Sequence, residues 1–376
     1  MEAICMNNNN PYSVKWQLMR NMNPQSQSVP LTVADMEFDI AHEIKEALKH
    51  HISTYALVYS NPTESYGKAV VDWFERRHNV HFNKDHMVQS TGVISALYAL
   101  VETLSEPNDG ILIQKPVYNQ FMLIIEKTRR KEINAPLVYK DGLYTIDFDD
   151  LDAKMKEAKL MILCQPHNPV GRMYTRQELQ QIADLAKKHN VQVISDEIHA
   201  DFTTDKPFVS YSEFDKEAII CTAASKSFNL AALHTANIFI PNQYKRDKFN
   251  ERNNKHGVNG PSILGYIATE AAYTQAESWF DNKLNIIREN YEYLKKAIQE
   301  TKLVISPLEG TYLTWINYDA YHMDETEFLG ILKKHDIYVS PGSSFGQTGF
   351  FRVNLAAKTQ VIKDFVVSLL DVVEKL

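Results

Sequence analysis

TRQELQQIADLAKKHNVQVISDEIH, residues 175–199, contains two structural periods in succession. Thr175 with Glu178 three positions on forms a capping-box signature. Leu179, Ile182, Ala183, Leu185 and Ala186 then recur on one helical face, so a helix is expected from Thr175 to His189. Val191 to Ser195 is a short apolar run of strand type, and Leu160 to Gln165 is another upstream, so this region reads strand, helix, strand. Four more runs, His86 to Gln89, Ile111 to Gln114, Ala218 to Thr222 and Ala236 to Ile240, are separated mostly by amphipathic stretches. Such alternation implies an α/β fold in which helices cover both faces of a mainly parallel sheet. Beyond Tyr273 the pattern changes to a long helical segment, Asn282 to Thr301, followed by strands at Leu303 to Ile305, Tyr312 to Ile316, Ile337 to Val339 and Phe351 to Asn354. That is the pattern of a separate α+β lobe.

Bulk composition sets the class. A chain of 376 residues that is 44% hydrophobic can bury a large core and is long for one domain, so two are expected. Lys and Arg total 40 against 47 Asp and Glu, for a net charge of -7, and no basic run offers a footprint for nucleic acid. Cys5, Cys164 and Cys221 show neither paired spacing nor a CxxC motif, which fits a reducing compartment. The start, MEAICMNNNN, lacks a basic region followed by an apolar core, and no apolar stretch approaches the roughly 18 residues that span a bilayer. A cytoplasmic protein without membrane contact is expected, with the asparagine run near the N-terminus as loop or disordered chain. No motif calls for a metal.

In parallel sheets, ligands bind beyond the carboxyl ends of the strands. Gly92 follows the first run, Tyr118 the second, Asn168 the Leu160 run, Asp196 and His199 the Val191 run, and Lys226 the Ala218 run. An amine and a carboxylate at two such ends match what pyridoxal phosphate requires: a lysine for its aldehyde and an aspartate for its pyridinium nitrogen. Lys226 lies between a buried strand and the apolar Phe228 to Leu233 stretch, where a solvated ammonium is hard to place, and burial would lower its pKa. Asp196 ends a strand of valine and isoleucine, so its carboxylate needs a cationic partner. Glu197 would face the other side of a continued strand and is set aside. His199 and Asn168 are candidate donors to the cofactor's phenolic oxygen. Thr91, Gly92 and Val93 lead into a helix over Val93 to Leu104 whose free amides suit a phosphate. Ser225 and Tyr59 are further hydroxyl candidates, and Tyr118 offers a ring to stack on the cofactor. Arg352, in an apolar strand, calls for a carboxylate, which an amino-acid substrate would bring.

These residues sit in an ordered series of motifs: SVKW (13–16), VADM (33–36), SY (65–66) with AVVDW (69–73), TGV (91–93), KPVY (115–118), PHNPVG (166–171), SDEIH (195–199), SKSFN (225–229), EGTY (309–312) and FRVN (351–354). The chain thereby resembles the fold-type I pyridoxal phosphate enzymes of the aspartate aminotransferase superfamily, and within it the MalY/PatB group of cystathionine β-lyases. The resemblance implies a large domain, residues 46–275, built on a mainly parallel seven-stranded sheet. It implies a small domain formed by residues 1–45 and 276–376. It also implies a homodimer with shared active sites, in which Tyr59 reaches the phosphate of the neighbouring subunit. Ala34 and Asp35 would line the substrate carboxylate site with Asn168 and Arg352. Lys226, Tyr118 and Asp196 would be the catalytic set for elimination of a thiol from cystathionine, cysteine or an S-substituted cysteine. An aminotransferase, or a cofactor-binding regulator of a transcription factor, are the alternatives within the same resemblance. Thr32, Val58 and Ala232 depart from the group's usual tryptophan and two glycines, which bears on the substrate entrance.

Overall fold

The computed structural model describes residues 10–204 and 206–376. Cys5 and the asparagines at 7–9 lie outside the described residues. A seven-stranded sheet is formed by β1 (Met87–Ser90), β2 (Gly110–Ile113), β3 (Lys131–Asn134), β6 (Ala158–Cys164), β7 (Gln192–Asp196), β8 (Ile219–Thr222) and β9 (Ala236–Phe239). Between β3 and β6 the chain makes a small hairpin, β4 (Val138–Lys140) with β5 (Leu143–Thr145). The large sheet runs in the order β1-β9-β8-β7-β6-β2-β3, and β9 is antiparallel to both of its neighbours.

Alternation along the strands divides the core in two, because successive side chains leave opposite faces of a sheet. Leu112, Met161, Leu163, Val193 and Ile220 join one apolar cluster, whereas Ile111, Ile113, Leu160, Ile162, Ile194, Ile219 and Cys221 join another. The helix Val93–Leu104 belongs to the second face, and Arg176–His189 to the first. Arg176–His189 forms as its periodicity requires: Thr175 and Glu178 close the capping box, Leu179, Ile182, Ala183 and Ala186 are buried, and Asn190 ends the helix in the left-handed region.

A second sheet of four strands, β10 (Val304–Ile305), β11 (Leu313–Asn317), β12 (Ser340–Pro341) and β13 (Phe350–Asn354), runs in the order β10-β11-β13-β12. The expected strand at Ile337 to Val339 forms further on, at Ser340 and Pro341. Ile337 and Tyr338 are buried by packing instead, and the Tyr338 carbonyl accepts the Leu31 amide at 3.0 Å. The long helix is Glu277–Ala297 rather than Asn282 to Thr301. Edge strand β3 carries two exposed charged residues and buries only Ile133, so no apolar run announces it.

The segment 31–38 crosses between the two sheets and is held from both. Asn354 Nδ2 donates to the Val33 and Asp35 carbonyls at 2.8 and 2.7 Å. Asn229 accepts the Met36 amide at 3.0 Å and donates to the carbonyls of Met36 and Phe38 at 3.1 and 2.9 Å. Asn229 itself sits at φ 58°, a region asparagine tolerates better than most residues. Asn229→Gly keeps the backbone free to adopt that φ and removes the three bonds. The expected loss is about 2–4 kcal/mol in urea unfolding; stability equal to the parent's would show that the clamp contributes nothing.

Candidate active site

A cavity of about 740 Å³ opens at the carboxyl ends of the central strands, against the 31–38 segment and the second sheet. Most of the candidate residues meet there: Thr91, Gly92, Val93, Tyr118, Asn168, Asp196, His199, Ser225, Lys226, Arg352 and Ala34 all line it. Tyr59 does not; it is fully exposed. The Asp35 carboxylate lies 2.5 Å from the buried Lys15 ammonium, which also lies 2.6 Å from Glu37. Asp35 thus comes close to the cavity without lining it. Glu197 stays out, as expected: it is buried, accepting the Tyr211 amide at 2.9 Å and the Ser195 hydroxyl at 3.0 Å.

Lys226 is carried by the short helix Ala224–Ser227 that follows β8. Its Nζ donates to the Ala34 carbonyl at 2.6 Å. Burial pulls its pKa down to about 8, and the Asp35 carboxylate partly opposes this. Asp196 ends β7 with one oxygen accepting the Ile198 amide at 3.2 Å. Burial pushes its pKa up to about 7, against that amide and the Lys226 charge. His199 is buried and held neutral, with its pKa well below the usual imidazole range because of burial and then the Lys226 and Arg352 charges. Its Nδ1 has no hydrogen-bond partner.

Arg352 lies at the middle of β13, buried, with its guanidinium 4.6 Å from the centre of the Phe345 ring. It donates to Asn168 Oδ1 at 3.0 Å and to the Thr32 carbonyl at 2.9 Å, while Nε is unpartnered. No carboxylate pairs with it in these contacts, and burial lowers its pKa to about 10. Tyr118 caps the helix Asn119–Lys127, and burial raises its phenol pKa, so it stays protonated near neutral pH. On the far side, Gly92 adopts φ 113° at the start of Val93–Leu104, and no atom lies within 4 Å of where a Cβ would stand. The first helical amides therefore meet the cavity unhindered.

Several functional contacts were not in the candidate set. Tyr312 donates its hydroxyl to the same Ala34 carbonyl at 2.8 Å and sets its ring against His199. Lys15, Thr32, Cys164, Ser340 and Phe345 also line the cavity. Lys15 and Tyr312 stand in motifs already singled out, SVKW and EGTY, and those motifs were the available signal. The contribution of Thr32 is a backbone carbonyl, which no residue type reveals. Val58 and Ala232 lie away from the cavity lining, so of the three departures only Thr32 shapes it.

The cavity holds unbalanced charge of both signs: a buried carboxylate without a cation in bonding contact, a buried guanidinium without an anion, an amine of lowered pKa, and a helix N-terminus. A ligand with a phosphate, a protonated ring nitrogen and an aldehyde, followed by a carboxylate-bearing substrate, supplies the complement of each. Among the described residues no group of three or more His, Cys, Asp or Glu could hold a metal.

The model of the family "Aminotransferase class I and II" matches residues 26–369. The chain belongs to the class I and II aminotransferase family. One curated family relative, cystathionine beta-lyase PatB of Bacillus subtilis (strain 168), is 34% identical over 366 residues, covering 94% of each chain. Protein MalY of Escherichia coli (strain K12) is 28% identical, covering 96% of each. Among solved structures, cystalysin from Treponema denticola, which contains a pyridoxal 5'-phosphate cofactor, superposes with a TM-score of 0.96 at 34% identity. That match covers 100% of this chain and 99% of cystalysin.

The Asp196 carboxyl moves from an ordinary value of 3.8 to about 7 on folding, so the folded chain holds its proton more tightly. Its contribution to the stability of ligand-free protein is complete below pH about 4 and is lost as the pH rises to about 7. Asp196→Asn removes this dependence. Unfolding at pH 5 and pH 8 should show the variant gaining on the parent by a few kcal/mol at the higher pH; an equal difference at both would contradict the burial argument.

Proposed function

We propose that the chain binds pyridoxal 5'-phosphate through Lys226 and acts as a carbon–sulfur β-lyase on L-cystathionine, L-cysteine or S-substituted cysteines, yielding a thiol, pyruvate and ammonia. One observation carries this reading: Lys226, Asp196 and Arg352 line one cavity in a chain 34% identical along 94% of its length to a cystathionine beta-lyase.

When bound, pyridoxal phosphate supplies an electron sink for the pair left on Cα after loss of its proton. Asp196, Asn168 and His199 would hold the ring's polar atoms, and Tyr118 would offer its ring to the cofactor. Thr91, the Gly92 and Val93 amides and Ser225 would hold the phosphate. A ring cation opposite Asp196 would favour its ionised form despite its burial. Arg352 takes the substrate carboxylate in a fork already oriented by Asn168, Thr32 and the Phe345 ring. The Ala34 backbone completes that end, and Asp35 acts through its charge on Lys226 rather than by contact. With a pKa near 8, Lys226 is partly neutral near pH 7 and can take the Cα proton. Nζ, released when the substrate amine takes its place, receives the Cα proton. The Cα–Cβ double bond forms as the Cβ–S bond breaks with its pair on sulfur, which takes up a proton to leave as the thiol, and water hydrolyses the remaining enamine to pyruvate and ammonia.

Tyr59 belongs to an exposed apolar stretch with Ile52, Tyr55, Leu57 and Val58. This supports a homodimer in which Tyr59 reaches the neighbouring subunit's phosphate. Residues 46–275 are assigned to the large domain, and 1–45 with 276–376 to the small one, consistent with the Leu31 backbone bonding to Tyr338 and Asn354 beside the second sheet. Cys164 and Cys221 are free thiols, in keeping with a cytoplasmic location. No helix among the described residues is long and apolar enough to cross a membrane.

Purified protein given pyridoxal phosphate and L-cystathionine, without any 2-oxo acid, should release pyruvate and thiol over many turnovers. A stoichiometric burst that resumes only on adding a 2-oxo acid would instead identify an aminotransferase, whose cofactor contacts are the same. Lys226→Ala should lower kcat by more than about 10³-fold. Arg352→Lys keeps the charge but loses the fork, and should raise KM by about 10–100-fold with a smaller change in kcat.

A further inference from the structure

Behind Lys226, away from the cavity, lies a buried polar cluster that the proposed reaction does not use. Asp201 follows His199 by two residues on the loop after β7 and is 3% exposed. One of its oxygens accepts the Trp73 indole N–H at 2.9 Å and meets His78 Nε2 at 2.7 Å. The other accepts the Ser227 hydroxyl in a short hydrogen bond. Trp73 and His78 both lie on the helix Glu64–His78, and Ser227 is the neighbour of Lys226. Trp73 and Ser227 are fully buried, and His78 nearly so.

A buried carboxylate is a demanding way to fill space, because each acceptor site must be met by a donor. Here the partners come from two separate pieces of chain, the helix Glu64–His78 and the turn that carries Lys226. Asp201 shares its loop with Asp196 and His199, and the tightness of that loop shows in the Phe202 amide donating to the His199 carbonyl at 3.0 Å. The side chains that follow Lys226 are fixed in turn: Ser227 on Asp201, Phe228 edge-on to Trp73 at 5.5 Å, and Asn229 on the 31–38 segment. Phe228 and Asn229 set the depth of the turn. Ser227 ties it laterally to the loop that follows Asp196, adding to the pairing of Asp196 with Cys221 between the two strands.

We propose that Asp201 is a positioning residue for Lys226: by gathering Ser227, Trp73 and His78 it locks the turn carrying the lysine to the loop carrying Asp196 and His199. This rests on the reading of Lys226 as the cofactor's attachment point, and adds a function for the AVVDW motif, whose tryptophan the cavity does not contact. A lysine amine whose turn can rock relative to Asp196 spends less time in the reactive geometry, and displacements of about 1 Å cost rate steeply.

Ser227→Ala is the mildest test, since it deletes one hydroxyl and leaves the aromatic packing in place. Thermal unfolding, cofactor retention, the pH titration of the cofactor's visible absorbance, and kcat and KM should be compared with the parent and with Ser227→Thr. The expected result for Ser227→Ala is retained fold and cofactor, kcat lowered by about 10-fold or more with KM within about 2-fold, and a titration midpoint moved by about half a unit. Ser227→Thr, which keeps the hydroxyl, should restore both. A lowered unfolding temperature with midpoint and kcat unchanged would overturn the proposal and leave Asp201 a structural residue only. Absence of any cofactor spectrum in the parent protein would overturn the underlying reading instead, so the two failures are distinguishable. Asp201→Asn, which keeps shape and removes charge, should move the midpoint in the same way, and an unmoved midpoint there would likewise count against positioning.

Discussion

The Ala34 carbonyl receives both the Lys226 ammonium and the Tyr312 hydroxyl, and fixing that one oxygen demands agreement among parts of the chain far apart in sequence. Lys15 grips Asp35 from the helix Val14–Met22, Asn229 grips Met36 and Phe38 from the lysine turn, and Asn354 grips Val33 and Asp35 from the strand that bears Arg352. Only some backbone groups in this crossing segment, at Leu31 and Glu37 among them, find backbone partners in neighbouring chain, and side-chain amides satisfy several of the others. The same contacts that satisfy the segment set the distance between amine and guanidinium. Fold and site are therefore built from one set of hydrogen bonds, and a loss at Asn229 or Asn354 is expected to reach both.

Electrostatics at this place oppose stability in the absence of a ligand. Asp196 and Arg352 are each buried with their pKa pulled toward the neutral form, and Lys226 likewise. Buried charges left without partners disfavour the folded state, whereas a ligand of complementary charge stabilises it by mass action. Burial also leaves His199 neutral with an unpartnered Nδ1, so its ring can donate from one nitrogen and accept at the other. A site of this kind favours a ligand that is cationic at one end of the cavity and anionic at two others.

The strands and their terminal residues are legible in the sequence because the sheet is buried on both faces, so each central strand shows as a continuous apolar run. Lys226, Asp196 and Asn168 stand out as polar residues directly after such runs. Edge strand β3 escapes because Lys131 and Glu132 face solvent, and β12 is displaced because Ile337 and Tyr338 are apolar for packing rather than pairing. The lattice around Ala34 is harder to read. Its acceptors are backbone carbonyls at Thr32, Val33, Ala34 and Asp35, and the side chains of Arg352, Asn354, Lys226 and Tyr312 that donate to them come from far along the chain. Asp201 is likewise hidden, since its partners Trp73 and Ser227 become neighbours only when the sheet closes.

Reduction of the cofactor-loaded protein with borohydride, followed by peptide mass mapping, tests most directly whether these charges are arranged around pyridoxal phosphate. A single pyridoxyl adduct on the peptide containing Lys226 is the expected result. An adduct on another lysine, or none after stoichiometric loading, would contradict the assignment of this cavity and of every role drawn from it.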